Sequence, residues 1–300
     1  LSLIITKLTK KYGQTLAVKE ITFQAGPGQV LGFLGPNGAG KSTTMKIATG
    51  YLPATSGTVH VMGIAASPAE QEAKKLIGYL PEHNPLYLDM YVQEYLSFSG
   101  QCYGMRGSAL AKAVASAIEK TGLGGEYKKK IGALSKGYRQ RVGLAQTLVH
   151  NPPVLILDEP TTGLDPNQII EIRNLIKEVG REKTVVLSTH IMQEVEAICT
   201  RYVIIHQGQI AAEGSVGFET EGLMLRLELD KPVDISELLV LPGIAAASTT
   251  AEATYVLDLT DEKAGRAAVL RFCADNGLDV RSLTRQGQSL EQIFKTATAG

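Results

Sequence analysis

Short runs in which apolar residues alternate with polar ones, or cluster without a break, divide the chain into predicted elements. "LSLIITKLT" (1–9), "AVKEITFQA" (17–25) and "QVLGFLG" (29–35) are separated by turn residues and predict strands. A helix is expected after the glycines, over 41–49. "GTVHVMG" (57–63) predicts another strand, and "KLIGYLPEHNPLY" (75–87) a strand that runs into a loop. Residues 91–121 read as mostly helical, with Leu110, Val114 and Ile118 on one face at i, i+4 spacing. "SKGYRQRVGLAQTLVH" (135–150) reads as a helix, "PVLILDEP" (153–160) as a buried strand and "NQIIEIRNLIKEVG" (167–180) as an amphipathic helix. "TVVLST" (184–189) and "RYVIIHQGQIAAEG" (201–214) return to strand. Strands alternating with helices predict a mostly parallel sheet covered on both faces, an α/β class.

Composition shifts near Gly222. Beyond it, "LMLRLEL", "IAAAST", "TYVLDLT" and "DVRSLT" read as strands. "DISELLVL", residues 264–276 and "SLEQIFKTA" read as helices. The order β-α-β-β-α-β plus a helix predicts a small α+β domain of ferredoxin-like type. The expected division is therefore 1–221 and 222–300, with a helical subdomain over about 86–150 of the first part. The second part carries no motif with known chemistry.

Charge and cysteine content narrow the classes. Lys plus Arg is 30 and Asp plus Glu is 30, so no net basic field is available to hold nucleic acid. Cys102, Cys199 and Cys273 lie far apart without metal-like spacing and read as thiols in a reducing compartment. The first residues lack the apolar core of a signal peptide, and no apolar run reaches the roughly 18 residues that span a bilayer. If the protein serves a membrane, another chain is expected to supply the membrane part.

The chemistry is concentrated in a few segments. Gly35, Gly40, Lys41 and Ser42 fit G-x-x-x-x-G-K-[ST], the phosphate-binding loop, in "GPNGAGKSTT". A phosphate chain needs converging N–H donors. Glycine lets the backbone approach and adopt φ > 0, and the following helix adds its unpaired N–H groups and positive end. Asn37, Gly38, Ala39 and Thr43 complete the expected cradle. Lys41 would neutralise phosphate charge and Ser42 would ligate Mg²⁺. The plainer alternative is a glycine turn before an ordinary helix. "VLILDE" then places Asp158 at the end of a buried strand, where it would reach the same metal, and Glu159 one residue on, where it would orient or deprotonate water. A solvated strand end is the alternative there.

With these segments in order, the chain resembles the nucleotide-binding subunits of ABC transporters over about residues 1–220, a P-loop NTPase core. "LSKGYRQR" stands where that family has its signature, with Ser135 and Gly137 kept but Lys136 and Tyr138 in place of the usual glycine and glutamine. The resemblance implies that Ser135, Lys136, Gly137 and Tyr138 contact the γ-phosphate held by an opposite subunit. As a residue reading, Ser135 is an N-cap that opens a helix start toward an anion. The resemblance further implies that Tyr12 stacks on adenine, that Asp165 of "TGLDP" crosses a dimer interface, and that His190 senses the γ-phosphate. Glu82 stands where the family has glutamine and implies an oxygen toward Mg²⁺ with an added negative charge. Tyr87, Tyr91, Tyr95 and Phe98 are expected either to line a socket for the membrane subunit or to fill the core.

Together these imply an ATPase with ATP and Mg²⁺ as ligands. It would work as a homodimer or paired ATPase on the cytoplasmic face of the inner membrane, with a separate transmembrane permease subunit and no nucleic acid. "IGYLPEHNPLYLDMYVQEYL" and the ending "SLEQIF" are similar to the bacterial exporter branch, especially its gliding-motility-associated type. Two other readings stay open: a soluble ABC-type ATPase acting on ribosomes or DNA, and a nucleotide-binding regulator without catalysis.

Overall fold

The chain begins with two long strands, β1 (Leu3–Tyr12) and β2 (Thr15–Ala25), then β3 (Val30–Leu34) and helix α1 (Lys41–Ala48). Strands β4 (Ser56–Val61) and β5 (Ile64–Ala65), helix α2 (Gln71–Lys75) and β6 (Ile77–Leu80) follow. Three helices come next, α3 (Val92–Cys102), α4 (Gly107–Lys120) and α5 (Lys136–Leu148). Then come β7 (Val154–Asp158), α6 (Pro166–Gly180), β8 (Thr184–Thr189), α7 (Met192–Ile198), β9 (Arg201–His206) and β10 (Gln209–Ser215). The last elements are β11 (Met224–Leu229), α8 (Ile235–Leu239), β12 (Ile244–Ala251), β13 (Thr254–Leu259), α9 (Glu262–Asp275), β14 (Val280–Arg285) and α10 (Leu290–Thr298). The computed structural model describes residues 1–216, 224–285 and 290–298.

Continuous burial and alternation sort the first strands into two sheets. In β3, β7 and β8 every residue is buried, as in a sheet covered on both faces. These strands sit inside a six-stranded sheet of order β10-β9-β3-β8-β7-β6, parallel except for the β9–β10 edge hairpin. Strands β1, β2 and β4 expose part of their residues and, with β5, form a separate antiparallel sheet of order β2-β1-β4-β5. The mostly parallel sheet expected from the sequence is the six-stranded one, and the first strands form a second, antiparallel sheet.

The two faces of β3 show the layering. Leu31 and Phe33 join Ile5, Ile21, Met45 and Ile156 in one core, between the sheets and around α1. Gly32 points the other way: a Cβ there would lie 2.9 Å from Cys199 Sγ and 3.0 Å from Val195, so the glycine lets α7 approach the sheet. Helices α3, α4 and α5 enclose a second core, with Val92, Leu96, Leu110, Val114 and Val142 buried and Ile118 packed against them. Of the four aromatics expected at a socket or in a core, Tyr95 is buried, while Tyr87, Tyr91 and Phe98 are exposed.

The chain divides into two compact units, Leu1–Val216 with Ala297–Gly300, and Gly217–Thr296. The expected boundary at 221/222 falls outside the described residues. The second unit is a four-stranded sheet of order β12-β13-β11-β14, with every pairing antiparallel. Each β-α-β passage skips one strand, because β13 separates β11 from β12 and β11 separates β13 from β14. That is the split pattern expected of a ferredoxin-like unit. Leu225, Leu227, Leu238, Tyr255, Leu257 and Val269 fill its core.

Candidate active site

The turn between β3 and α1 is built around glycines that no other residue can replace without displacement. A Cβ at Gly35 would lie 2.4 Å from the Ile205 carbonyl oxygen. At Gly40, φ is +108° and a Cβ would lie 2.6 Å from the Ala17 carbonyl. The turn is pinned by Ala39 N–H on the Pro36 carbonyl and Gly208 N–H on the Ala39 carbonyl. Gly40 is the N-cap of α1 and offers no side-chain cap, and no acidic residue occupies the first turn. The first N–H groups of α1 and its positive end therefore face outward for an anion. Lys41 is buried, with Nζ donating to the carbonyls of Gly35 (2.8 Å) and Pro36 (3.2 Å).

Opposite this turn, β7 delivers two carboxylates in different directions. Asp158 Oδ1 accepts from Ser42 Oγ at 3.2 Å and from Ser188 Oγ. Glu159 has φ +50°, a left-handed conformation strained for a glutamate and held by its N–H donating to Ser188 O (3.1 Å) and Oγ (3.2 Å). The reversal aims its side chain away from that of Asp158. Glu159 is 3.7 Å from Lys41 Nζ, accepts from Thr162 Oγ1 at 3.3 Å, and has both oxygens 3.0 Å from His190 Nδ1. A cavity of about 320 Å³ is lined by Asn37, Gly38, Gly40, Lys41, Ser42, Thr43, Glu82 and Glu159, with Ala17 of β2. The structure thus brings together the residues that sequence predicted for phosphate, metal and water.

The donor set suits Mg²⁺. A hydroxyl and a carboxylate stand within hydrogen-bond distance beside a phosphate-sized cradle, all hard oxygens, and Mg²⁺ bound with a nucleotide needs only one or two protein carboxylates. No group of three His, Cys, Asp or Glu side chains able to hold a metal by itself occurs among the described residues.

The remaining predicted residues lie elsewhere. Tyr12 ends β1, exposed, with Lys10 Nζ 5.1 Å above its ring, and it does not line the cavity. Ser135 is the N-cap of α5 and accepts from Tyr138 N–H at 3.4 Å. Gly137 faces Gln168 so closely that a Cβ would fall 2.3 Å from it, and the Lys136 side chain covers Gly163 of "TGLDP". Tyr138 is exposed, with the Arg141 guanidinium 5.7 Å from its ring. Asp165 caps α6 in a reciprocal box with Gln168, so its place in the fold has a local cause. Gln140 Nε2 donates to the Pro160 carbonyl at 2.8 Å and links α5 to the segment that follows Glu159. Sequence reading did not single out Gln140, nor the buried Thr161, Thr189 and Glu194 beside Glu159 and His190. One signal was available: Glu194 shares a face of α7 with Ile198, four residues on, an apolar place for a carboxylate.

Beside this cavity, sharing Glu82 with it, is a groove of about 730 Å³ lined by Tyr51, Tyr79, Tyr87, Tyr95, Phe98 and Tyr103 among others. Burial, then the charge of Asp158, pushes the Tyr79 hydroxyl up, so it stays protonated. Behind Tyr103, whose ring stacks on His150 at 3.6 Å, burial lowers the imidazole to about 4, so His150 is neutral at pH 7. The cysteines are free; Cys102 is exposed, and Cys199 and Cys273 are buried, with their thiols pushed up by burial. Among the described residues no helix is long and apolar enough to cross a membrane.

Comparison with known proteins agrees with this geometry. Residues 18–162 match a family model described as ABC transporter. The chain is 32% identical over 295 residues to the uncharacterized ABC transporter ATP-binding protein YxlF of Bacillus subtilis, covering 97% of this chain and 98% of that protein. It is 31% identical over 300 residues to the bacitracin transport ATP-binding protein BcrA of Bacillus licheniformis, covering 98% and 96%. The structure superposes on MJ0796, a dimeric bacterial ABC transporter cassette, with a TM-score of 0.65 and 25% identity, covering 71% of this chain and 98% of that one.

Proposed function

The chain belongs to the ABC transporter family as an ATP-binding subunit with ABC-type ATPase chemistry, and from that premise we propose that it powers export through a separate membrane-spanning permease subunit. The observation that carries the reading is one cavity lined by Lys41, Ser42 and Glu159, with Asp158 bonded to Ser42 and His190 to Glu159 behind it. BcrA, similar over nearly the full chain, is named for bacitracin transport. The narrower gliding-motility expectation has no counterpart among these relatives, and the reading stops at export.

In this reading two copies, or this chain and a paired ATPase subunit, close head to tail around two ATP molecules. The amides of residues 35–43 and Lys41 hold the phosphates, and Tyr12 stacks on the adenine. Ser42, Asp158 and Glu82 supply oxygens to Mg²⁺, which when bound neutralises phosphate charge. Ser135, Lys136, Gly137 and Tyr138 approach the γ-phosphate from the other subunit, and Asp165 lies at the interface. Glu159 takes the proton of the attacking water, and His190 orients Glu159 and contacts the γ-phosphate. Residues 1–221 form the ATP-binding domain, and 222–300 an accessory domain. The groove beside Tyr87 and Phe98, in the helical subdomain over 86–150, seats the permease at the cytoplasmic face of the inner membrane.

Glu159→Gln keeps the side-chain shape and removes the base. With ATP and Mg²⁺ it should run as a stable dimer on size exclusion, with phosphate release at least about 10²-fold below the parent. A variant that hydrolyses normally and stays monomeric would overturn the assignment.

A further inference from the structure

Glu194 of α7 is fully buried and does not line the phosphate cavity. A carboxylate in that position needs partners for its oxygens. Oε1 accepts from Thr161 Oγ1, Oε2 accepts from Thr189 Oγ1 at 2.7 Å, and an Arg173 guanidinium nitrogen lies 3.9 Å from Oε1. Both threonines adjoin the Glu159–His190 pair in sequence. Thr161 lies two residues beyond Glu159, and its neighbour Thr162 donates to Glu159 Oε2 at 3.3 Å. Thr189 directly precedes His190, and its hydroxyl also accepts the Ile191 N–H at 3.0 Å, bending the chain around His190. The Glu159–His190 contact at 3.0 Å completes a ring that runs from Glu194 through Thr161, Thr162, Glu159, His190 and Thr189 back to Glu194.

The ring has a mechanical task. Paired residues of β7 and β8 end with Asp158 opposite Ser188, and one further backbone contact joins Glu159 to Ser188. Past that point the segments that carry Glu159 and His190 no longer pair with each other, although Thr189 still pairs with Leu34 of β3. Glu194 holds one hydroxyl from each, with an Arg173 guanidinium nitrogen 3.9 Å away. We propose that Glu194 is a positioning residue for ATP hydrolysis, fixing the two strand ends so that Glu159 and His190 stay in register with each other. The proposal rests on the reading of Glu159 and His190 as the hydrolytic pair. It assigns Glu194 no contact with nucleotide.

The test is a double-mutant cycle in the full chain. Glu194→Gln should lower kcat about tenfold and leave KM for ATP within about twofold, because misplacing a reactive group costs rate while the phosphate turn is untouched. In a His190→Ala background the same change should alter kcat less than about twofold, since the pair that Glu194 aligns is already broken. Equal losses in both backgrounds, a parallel loss of ATP affinity, or no loss in the parent would each overturn the proposal. If Glu194→Gln does not fold, Thr161→Val cuts one arm of the ring and leaves Glu194 its Thr189 bond and the nearby Arg173. It should lower kcat about threefold, with the effect again vanishing beside His190→Ala. If His190→Ala alone leaves kcat unchanged, the assignment of the hydrolytic pair fails first and the ring loses its purpose; that result is distinguishable from additivity.

Discussion

The ends of β7 and β8 and the C-terminal unit use their interiors in opposite ways. Lys41, Asp158, Glu159 and Glu194 are all buried charges, and all lie around the strand ends. In the C-terminal unit the buried side chains among the described residues are apolar apart from Thr254. Its charges sit at helix starts and on the surface: Asp234 caps α8 and Asp261 caps α9. Burying a charge costs free energy unless its partners are arranged around it. The first region carries that cost, together with a glutamate at φ +50°, and gains a set of aimed groups. The second region buries no charge among its described residues, and its own left-handed residue, Ala253 at φ +56°, sits in the β12–β13 turn.

The comparison is broken most forcefully at Lys41. Lys41→Met keeps the length of the side chain and removes the ammonium. Phosphate release should fall about 10²–10³-fold, the loss typical of removing one preorganised electrostatic contact in a water-poor site. The urea midpoint should change less, because Glu159, 3.7 Å away, keeps His190 and Thr162 as partners when the ammonium is removed. A stability loss as large as the activity loss would show that the strand ends are built for folding after all.

Leu257→Ala makes the converse change. Leu257 is fully buried at the centre of the C-terminal core. Its truncation should cost about 2–5 kcal/mol of that unit's stability, from lost burial plus the cavity left behind. The kcat for ATP should stay within about twofold while the unit remains folded. Denaturant titration followed by a phosphate-release assay measures both. A fall in kcat at full folding would make the C-terminal unit part of the hydrolytic cycle and would erase the division.

The same division explains what the sequence disclosed. Gly35 and Gly40 were legible because a phosphate turn tolerates no Cβ, and Asp158 because "VLIL" is unmistakably a buried strand. The split into two sheets was harder. Periodicity reports that β1 and β2 are strands but not which strands they join, and the signal that separates them is graded: partial alternation in β1 and β2, unbroken burial in β3, β7 and β8. The ring through Thr161, Thr189 and Glu194 was not legible. Thr161 and Glu194 are 33 residues apart, and hydroxyl–carboxylate contacts at such separation leave no spacing to recognise. The left-handed turn at Glu159 was equally silent, because it is imposed by Ser188 on the neighbouring strand.

The smallest effect sharpens the boundary of the active region. Glu82 lines both the phosphate cavity and the aromatic groove, so it stands where nucleotide and permease would be sensed together. Glu82→Gln keeps an oxygen for Mg²⁺ and removes one negative charge. Two unit charges about 6 Å apart in a water-like medium interact by roughly 0.7 kcal/mol, and a bound cation offsets part of that repulsion. KM for ATP should therefore fall about threefold when free Mg²⁺ is scarce, and by less than about twofold when it is saturating, with kcat nearly constant throughout. ATPase titrations at the two Mg²⁺ levels separate the possibilities. A loss of kcat beyond about tenfold at saturating Mg²⁺ would mean that the carboxylate itself takes part in the reaction, and the active region would then extend past the strand ends to the rim of the groove.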